Sequence, residues 1–220
     1  MLSIPVIAID GPSASGKGTV AQLVAEQLGF HYLDSGAIYR LTALAAKNKG
    51  VSWADESAVA SVAQYLDVVF EGARIILAGS DVTEAIRSEE IGSGASKIAA
   101  LPQVRLALLA RQQAFSMQPG LVADGRDMAS VVFPSAVLKV FLTASASARA
   151  ERRYKQLIGR GETADLAVIT ADLEARDARD RERIVAPLAQ AQDALLLDTT
   201  ELDIQSAVRQ VLTWWRQKIE

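Results

Sequence analysis

The N-terminal part of the chain changes from a continuous apolar run to apolar residues at helical spacing. Residues 4–9 are mostly β-branched, too few for a helix, and closed by Asp10 and Gly11, which predicts a buried strand. After a glycine-bounded loop, apolar residues recur at helical spacing between Val20 and Leu28, and Gly29 follows as a stop signal. The pattern therefore predicts a strand, a tight loop and a helix in succession.

Later apolar runs predict four further strands, separated by helical segments. The strands are expected at residues 30–33, 121–124, 138–142 and 194–197. Helices are expected after Ser35, which can cap one of them, at 55–65, from 89 to 117 with a break at Pro102, and over a terminal apolar stripe at 204–215. Strands that alternate with helices are typical of a parallel sheet, so the expected fold class is α/β, with a five-stranded parallel sheet flanked by helices.

A β-rich stretch interrupts this alternation. Residues 66–70 and 74–78 are short β-rich runs on either side of Glu71-Gly72-Ala73, and Gly79-Ser80-Asp81 marks another turn. A small antiparallel element does not belong to a doubly wound sheet, so we interpret residues near 60–95 as an inserted subdomain. The core is then expected at residues 1–60, 96–145 and 185–220, and a lid region near 149–183.

The loop after the first strand has the spacing G-x-x-x-x-G-K of a phosphate-binding loop. Gly11 and Gly16 let the backbone fold tightly and direct N–H groups toward one point, and the helix adds the positive end of its dipole. Lys17 supplies an ammonium group for the β- and γ-phosphates. The next residue is Gly18 rather than Ser or Thr, and the hydroxyl follows at Thr19. We expect a nucleotide-phosphate site formed by Gly11, Pro12, Ser13, Ala14, Ser15, Gly16, Lys17, Gly18 and Thr19.

A second element of such a site is expected where the 121–124 strand ends. Asp124 closes that strand and fits an aspartate that orders a magnesium shell. Arg126 and Asp127 extend beyond the strand end, where they can face a second substrate. The single histidine, His31, is expected to be structural, because one histidine cannot build a metal cluster. The expected metal is Mg²⁺, held by oxygen atoms, with Thr19 and Asp124 as its protein ligands.

The composition sets limits on the class of protein. A chain of 220 residues can form one α/β domain with an insertion, and its net charge of −3 argues against non-specific nucleic-acid binding. The absence of cysteine excludes disulfides and thiolate catalysis and fits a cytoplasmic protein. The first strand begins too early to leave room for a signal peptide, and no apolar run is long enough to span a membrane.

The segment between the fourth and fifth strands is dense in arginine. Arg176, Asp180 and Arg183 fall at i, i+4 and i+7, which predicts one stripe of a helix. Alternating charges are usually a solvated helix face. However, arginine is used almost to the exclusion of lysine, which suits planar recognition of phosphate, and the bend at Gly159 and Gly161 is typical of a hinged lid.

Five motifs are spread over nearly the whole chain. They are GPSASGKGT (11–19), LDSGAIYR (33–40), ADGRDM (123–128), VVFP (131–134) and ARDARDRER followed by APL (175–188). Together they resemble the motifs of bacterial cytidylate kinases, and the second and third are much more selective than the phosphate loop. The resemblance implies a P-loop NTPase with a β-containing, nucleoside-monophosphate-binding insertion and a short lid. It also implies transfer of the γ-phosphoryl group of ATP to CMP or dCMP with Mg²⁺, in pyrimidine nucleotide metabolism.

The resemblance implies a role for each matching residue. The loop would hold the ATP phosphates, with lid arginines at Arg149 and Arg153. The catalytic residues would be Lys17 at the transferred group, Arg126 at the CMP phosphate and Arg183 at the developing charge. Further contacts with CMP would come from Asp34, Ser35 and Arg40 around its phosphate, from Ser96, Arg105 and Asp127 at the cytosine, and from Arg176 and Asp180 at the sugar and phosphate.

Two other functions remain open on the sequence alone. One is a small-molecule kinase of the same fold with another acceptor, and the other is a nucleotide-sensing module that signals through the β-rich insertion. The sequence does not rank CMP, dCMP and UMP. We expect a monomer, because the expected parts of the site all lie within one chain, and we expect neither nucleic acid nor membrane as a partner.

Overall fold

The computed structural model describes residues 4–71 and 74–220, so residues 1–3 and Gly72 and Ala73 of the predicted turn lie outside it. The strands are β1 (Val6–Asp10), β2 (His31–Asp34), β3 (Val68–Glu71), β4 (Arg74–Leu77), β5 (Ser80–Asp81), β6 (Leu121–Gly125), β7 (Leu138–Thr143) and β8 (Leu195–Asp198). The α-helices are α1 (Lys17–Leu28), α2 (Ser35–Asn48), α3 (Glu56–Gln64), α4 (Glu89–Ile98), α5 (Pro102–Gln113), α6 (Ala146–Gly159), α7 (Leu166–Glu182) and α8 (Ile204–Ile219). There is also a 3₁₀ turn at Ala85–Arg87 and a π-helical turn at Met128–Val132.

The chain divides into two compact units. The first comprises Met1–Leu33 and Phe115–Glu220, and the second is Asp34–Ala114. The predicted insertion near 60–95 lies within the second unit, which also takes in α2 and α5. That the insertion acts as a nucleoside-monophosphate-binding subdomain stays a prediction.

The first unit is built on the predicted five-stranded parallel sheet, in the order β2-β6-β1-β7-β8. β1 is the central strand, with Ile7 paired to Val122 of β6 on one side and to Leu138 of β7 on the other. All five residues of β1 are buried, as expected of a central strand with both faces covered. The predicted fold class is confirmed.

Helices α1 and α8 close the core of the first unit. Val20 and Val24 of α1 and Val208 and Val211 of α8 share one apolar cluster with the residues of the central strands. Trp215 of α8 belongs to the same cluster and is therefore core, as expected. The predicted apolar stripe is wrong at its first residue, because Ile204 is 47% exposed. It directly follows the N-cap Asp203, before the helix has turned its buried face to the sheet.

The second unit combines α2 to α5 with a three-stranded antiparallel sheet, in the order β3-β4-β5. The two predicted β-rich runs are confirmed as β3 and β4, with Val69 paired to Ile76. The turn expected at residues 79–81 is in part a strand, because Ser80 and Asp81 pair with Leu77 and Ile76. In the described part of the chain, no helix is long and apolar enough to cross a membrane.

The helices α6 and α7 carry the arginine-rich segment. α6 ends at Gly159, and Gly161 adopts a φ of 76°, which completes the bend that the glycines predict. α7 carries Arg176 and Asp180 as expected, but it ends at Glu182. Arg183 follows with an extended backbone, φ −61° and ψ 138°, so the predicted helical stripe is wrong at its third member.

Candidate active site

The loop between β1 and α1 has the strand-loop-helix setting that the sequence predicts. Gly16, before the first helical residue, has a φ of 91°, a left-handed conformation that favours glycine. Gly11 is required for a different reason, because a Cβ atom there would lie 1.9 Å from the carbonyl oxygen of Leu142 in β7. The neighbouring strand therefore leaves room only for glycine at the start of the loop.

Lys17 and Asp124 form a buried pair beside this loop. The Lys17 Nζ lies 3.7 Å from the Asp124 Oδ1 and donates a hydrogen bond to the carbonyl oxygen of Pro12 at 3.4 Å. Burying either charge alone would be costly, and each offsets the cost of the other. The pair thus places a cation and a carboxylate where the loop meets β6.

The surroundings of Asp124 fit a magnesium ion. A Cβ atom on Gly18 would lie 3.1 Å from the Asp124 Oδ2, so the carboxylate lies against the start of α1, next to Thr19. A carboxylate suits Mg²⁺, which usually takes several of its ligands from water and substrate phosphates. That the exposed Thr19 is the second protein ligand stays a prediction. Among the described residues, no group of three or more acidic or histidine side chains could hold a metal ion. Asp124 is therefore a single carboxylate at the phosphate loop, which fits Mg²⁺ as one protein ligand.

Arg126 connects the end of β6 to the phosphate loop and to α7. Its Nε donates to the Asp180 Oδ2 at 3.0 Å, and its Nη2 donates to the Ser13 Oγ at 2.9 Å. The pKa of Asp180 lies below its usual value, since the charges of Arg126, Arg176 and Arg183 outweigh the burial that would raise it. Four of the predicted site residues therefore gather in one charged cluster.

Asp127 joins this cluster from the loop after β6. The Arg183 Nη2 lies 3.7 Å from the Asp127 Oδ1, and both side chains are buried. Arg183 also donates from its Nε to the carbonyl oxygen of Ala186. Arg183 thus contacts Asp127 from the extended backbone after α7, and not from the helix face that the sequence predicts.

Asp10, at the end of β1, holds the chain that follows Asp127. Its Oδ1 accepts from the Met128 N–H and its Oδ2 from the Ala129 N–H, each at 2.8 Å. Burial raises the pKa of Asp10 to about 7; the two backbone hydrogen bonds act against this rise, and the charges of Asp127 and Asp124 add to it. A buried carboxyl group of this kind fixes the loop to the central strand.

The two predicted lid arginines have different surroundings. Arg149 is buried, with its Nη1 2.5 Å from the Asp177 Oδ2 and donating to the carbonyl oxygen of Ser13 at 3.1 Å. Arg153 lies one turn further along α6 and donates to the Gln156 Oε1 at 2.6 Å, in an exposed position. Of these two residues, Arg149 is thus bonded directly to the phosphate loop.

A third arginine of α6 supports the loop near its helical end. The Arg152 Nη1 donates to the carbonyl oxygen of Ser15 at 3.1 Å and to the Thr199 Oγ1 at 3.2 Å. The Thr199 Oγ1 lies 3.2 Å from the carbonyl oxygen of Ser15 and 3.0 Å from that of Thr143, and its single hydrogen can be donated to either or shared between them. The segment after β8 is thereby tied to the phosphate loop.

In the second unit, Asp34 caps helix α2 and Ser35 is its first residue. The Asp34 Oδ1 accepts from the Ala37 N–H at 3.0 Å, so Asp34 is the N-cap of α2. The prediction that Ser35 caps this helix is wrong, because Ser35 is already its first residue, and it is buried. The extended backbone that a cap requires is found one residue earlier, at φ −89° and ψ 94°.

Arg40 extends from α2 toward the start of α4. Its Nη1 donates to the carbonyl oxygens of Ile86 at 2.7 Å and Ser88 at 3.3 Å. The guanidinium lies against Gly92, where a Cβ atom would come within 2.8 Å of its Nη2. The glycine therefore makes room for the arginine head group.

Ser96 and Arg105 are buried polar residues on α4 and α5. The Arg105 Nη1 donates to the carbonyl oxygen of Ala99 at 3.2 Å, and its guanidinium carbon lies 6.0 Å from the ring centroid of Tyr39. The Ser96 hydroxyl is buried without a hydrogen-bond partner in the described parts of the chain. It therefore retains the capacity to bind a polar ligand atom.

The comparisons with known proteins agree with the motifs. The sequence profile of the family described as cytidylate kinase matches residues 7–217. The chain belongs to the cytidylate kinase family. It is 61% identical to the cytidylate kinase of Chromobacterium violaceum over 217 residues, which cover 99% of this chain and 98% of that protein. It is 56% identical to the cytidylate kinase of Polynucleobacter asymbioticus over 219 residues, the whole of both chains.

A solved structure supports the fold of this cytidylate kinase family member. An uncharacterized protein from Eubacterium ventriosum has a TM-score of 0.52 at 10% identity and covers 96% of this chain and 97% of its own. This likeness concerns the fold alone. Membership in a family of kinases makes the chain a phosphotransferase, so the nucleotide-sensing alternative is set aside.

Four residues with contacts at the site of this cytidylate kinase family member were not selected from the sequence. They are Asp10, Arg152, Asp177 and Thr199. Asp177 lies three residues before Asp180, a spacing that places both carboxylates on one side of α7. This spacing is the feature of the sequence from which Asp177 could have been predicted as a site residue. Asp10 directly precedes Gly11 and Arg152 directly precedes Arg153, whereas Thr199 follows β8 and has no selected residue near it in the chain. The partners of all three come from distant elements.

Proposed function

We propose that this protein transfers the γ-phosphoryl group of ATP to CMP or dCMP and releases ADP with CDP or dCDP. The observation that carries the proposal is its 61% identity, over 99% of its length, to a protein named cytidylate kinase. The buried Lys17–Asp124 pair beside the phosphate-binding loop is consistent with this chemistry.

On the donor side, the loop residues 11–19 would hold the ATP phosphates through their backbone N–H groups. Lys17 would follow the transferred phosphoryl group, and Arg149 and Arg153 would approach ATP from α6. Thr19 and Asp124 would hold Mg²⁺, which, when bound with ATP, neutralises charge on its phosphates.

On the acceptor side, Arg40 and Arg126 would grip the CMP phosphate, since a guanidinium binds phosphate through two parallel hydrogen bonds. Asp34 and Ser35 would line that phosphate site. The cytosine offers one amino donor and two acceptors and so needs a mixed set of polar groups. The remaining contacts would come from Ser96, Arg105 and Asp127 at the base and from Arg176 and Asp180 at the sugar and phosphate.

The chemistry requires positioning more than covalent catalysis. Phosphoryl transfer passes through a loose, in-line transition state, so the protein mainly holds two polyanions in line and stabilises charge on the moving group. Arg126 and Arg183 are suited to the latter, because both are held by carboxylates, Asp180 and Asp127, that fix their orientation. Exclusion of water from the closed site would suppress hydrolysis of ATP.

The test is release of ADP from ATP and Mg²⁺ in the presence of CMP, dCMP, UMP, AMP or GMP, each in a separate reaction. We expect turnover with CMP and dCMP and little with AMP or GMP. The rate with UMP, compared with the rates with CMP and dCMP, gives the preference among the pyrimidine nucleotides. Lys17→Met serves as the inactive control for contaminating kinases. Turnover with none of the five, by a protein that still binds ATP, would refute the proposal and favour a kinase with another acceptor.

The metal site has its own test. Removal of Mg²⁺ by EDTA should abolish turnover, and Asp124→Asn should raise the Mg²⁺ concentration needed for half-maximal activity, because it removes the negative charge of the proposed ligand. A folded Asp124→Asn protein with unchanged Mg²⁺ dependence would exclude Asp124 as a ligand.

A further inference from the structure

Ser13 is bonded to charged side chains at all three of its polar atoms. Its N–H donates to the Asp177 Oδ1 at 3.4 Å, its carbonyl oxygen accepts from Arg149 at 3.1 Å, and its hydroxyl accepts from Arg126 at 2.9 Å. These partners lie on α7, on α6 and after β6. One residue of the phosphate-binding loop is thus held from three separate elements of the first unit.

Asp177 is the residue that joins two of these contacts. Its second oxygen, Oδ2, pairs with the Arg149 Nη1 at 2.5 Å, and the two side chains are only 3% and 5% exposed. Arg149 is fixed further by donating from its Nε to the carbonyl oxygen of Ala144 at 3.0 Å. A buried ion pair is a poor source of stability, and its better-attested use is to specify one arrangement of the chain.

The backbone of the phosphate-binding loop has an unusual conformation directly after Ser13. Ala14, directly after Ser13, has a φ of 58°, a left-handed conformation that is uncommon for a residue with a Cβ atom. Such a backbone persists only where its surroundings hold it in place. The contacts to Ser13 lie at the residue where the chain enters this conformation.

We propose that Asp177 is a positioning residue for the phosphate-binding loop. Through the Ser13 N–H and the Arg149 guanidinium it holds the loop in the shape that receives the ATP phosphates, without touching the nucleotide. The inference rests on the proposed function, because it takes the loop as the ATP site. Asp180, on the same side of α7, is bonded to Arg126 and reaches Ser13 through that arginine, whereas Asp177 accepts from the Ser13 N–H directly.

The test compares Asp177→Ala and Asp177→Asn with the wild-type protein. We expect Asp177→Ala to raise the KM for ATP by about tenfold or more, the effect of losing hydrogen bonds to a charged group, while the KM for CMP changes less than about twofold. Asp177→Asn keeps one acceptor oxygen for Ser13 but loses the charge that faces Arg149, so its KM for ATP should rise by about threefold or more and stay below that of the alanine variant. Asp172→Asn, at an exposed carboxylate of α7, is the matched control and should leave both constants unchanged.

Two readouts separate a positioning role from simple destabilisation. Thermal unfolding identifies which variants are folded at the assay temperature. If Asp177→Ala is unfolded at that temperature, the KM values of Asp177→Asn test the proposal. Equal increases in the KM for ATP and for CMP, or no change in the KM for ATP in a folded Asp177→Asn protein, would overturn the proposal. Calorimetric titration with ATP and Mg²⁺ alone tests the same prediction without an acceptor, so failure of the wild-type protein to phosphorylate CMP would refute the proposed function and not this inference.

Discussion

Asp10→Asn is predicted to remove a dependence of stability on pH. The carboxyl group of Asp10 is buried and bonded to the N–H groups of Met128 and Ala129. Burial raises its pKa from the ordinary 3.8 to about 7. The asparagine side chain has nearly the same shape as that of aspartic acid but stays neutral between about pH 4 and pH 8.

The sign follows from where each state holds its proton. Between pH 3.8 and about 7 the folded chain keeps a proton on Asp10 that the unfolded chain has released. The folded state therefore binds more protons, and the free energy of unfolding falls as the pH rises through this window. Below the window both states are protonated and above it both are ionised, so the contribution no longer changes.

The size of the effect follows from the same two values. The interval from 3.8 to about 7 corresponds to about 4 kcal/mol, at about 1.4 kcal/mol for each pH unit. The lost acceptor of the asparagine variant costs about 1–3 kcal/mol at every pH and cancels when two pH values are compared. The stability advantage of the wild-type protein over Asp10→Asn should thus shrink, or reverse, by about 4 kcal/mol between about pH 4 and pH 8.

The assay is urea unfolding at several pH values in that range, without nucleotide or Mg²⁺. Tryptophan fluorescence in a Trp53→Phe background restricts the signal to Trp214 and Trp215, which lie in the first unit together with Asp10. Asp172→Asn, at an exposed position, should run parallel to the wild-type protein at every pH. A stability difference between wild type and Asp10→Asn that is constant across the range, or that grows in favour of wild type as the pH rises, would refute the reasoning.

Three further substitutions test other parts of the site. Lys17→Met should lower kcat by about 10³ or more in a protein that still folds, because it removes charge stabilisation at the transferred group. Its melting temperature should fall, because Asp124 stays buried without its cation; near wild-type turnover in the folded variant would contradict the catalytic role of Lys17. Gly11→Ala should prevent folding or sharply lower the melting temperature, since its Cβ atom would lie 1.9 Å from the backbone oxygen of Leu142, and a normally stable variant would show that the strand can yield. Gly92→Ala should displace only the mobile head group of Arg40, 2.8 Å from the new Cβ atom, and so raise the KM for CMP with unchanged stability; an increase confined to the KM for ATP would remove Arg40 from the acceptor site.

The features predicted best from the sequence are those that depend on neighbouring residues. A short β-branched run, two glycines at fixed spacing and a helical apolar pattern fix the loop at residues 11–16 almost without reference to the rest of the chain. The two β-rich runs of the second unit were found in the same way. The sequence does not decide the cap of α2, because Asp34 and Ser35 can both cap a helix and only the backbone conformation shows which one does.

Contacts between distant elements could not be predicted in this way. Asp177 and Arg179 belong to the same alternating charge pattern, yet Asp177 is buried and Arg179 is exposed. The choice depends on which side of α7 faces α6 and the phosphate loop, and the pattern does not contain that information. The sequence predicts Asp10 as the end of a strand but not its partners, because Met128 and Ala129 follow the whole of the second unit in the chain.

The central position of β1 also governs the order in which the chain can be assembled during synthesis. Val6 pairs with Leu121, and Ile7 pairs with both Val122 and Leu138, so both strands that flank β1 are translated after the whole of the second unit. The second unit, in contrast, is one continuous stretch that is complete when Ala114 has been added. This apolar strand therefore remains unpaired on the ribosome until more than half of the chain has been made, and an exposed, unpaired strand is a site of aggregation for a newly made chain.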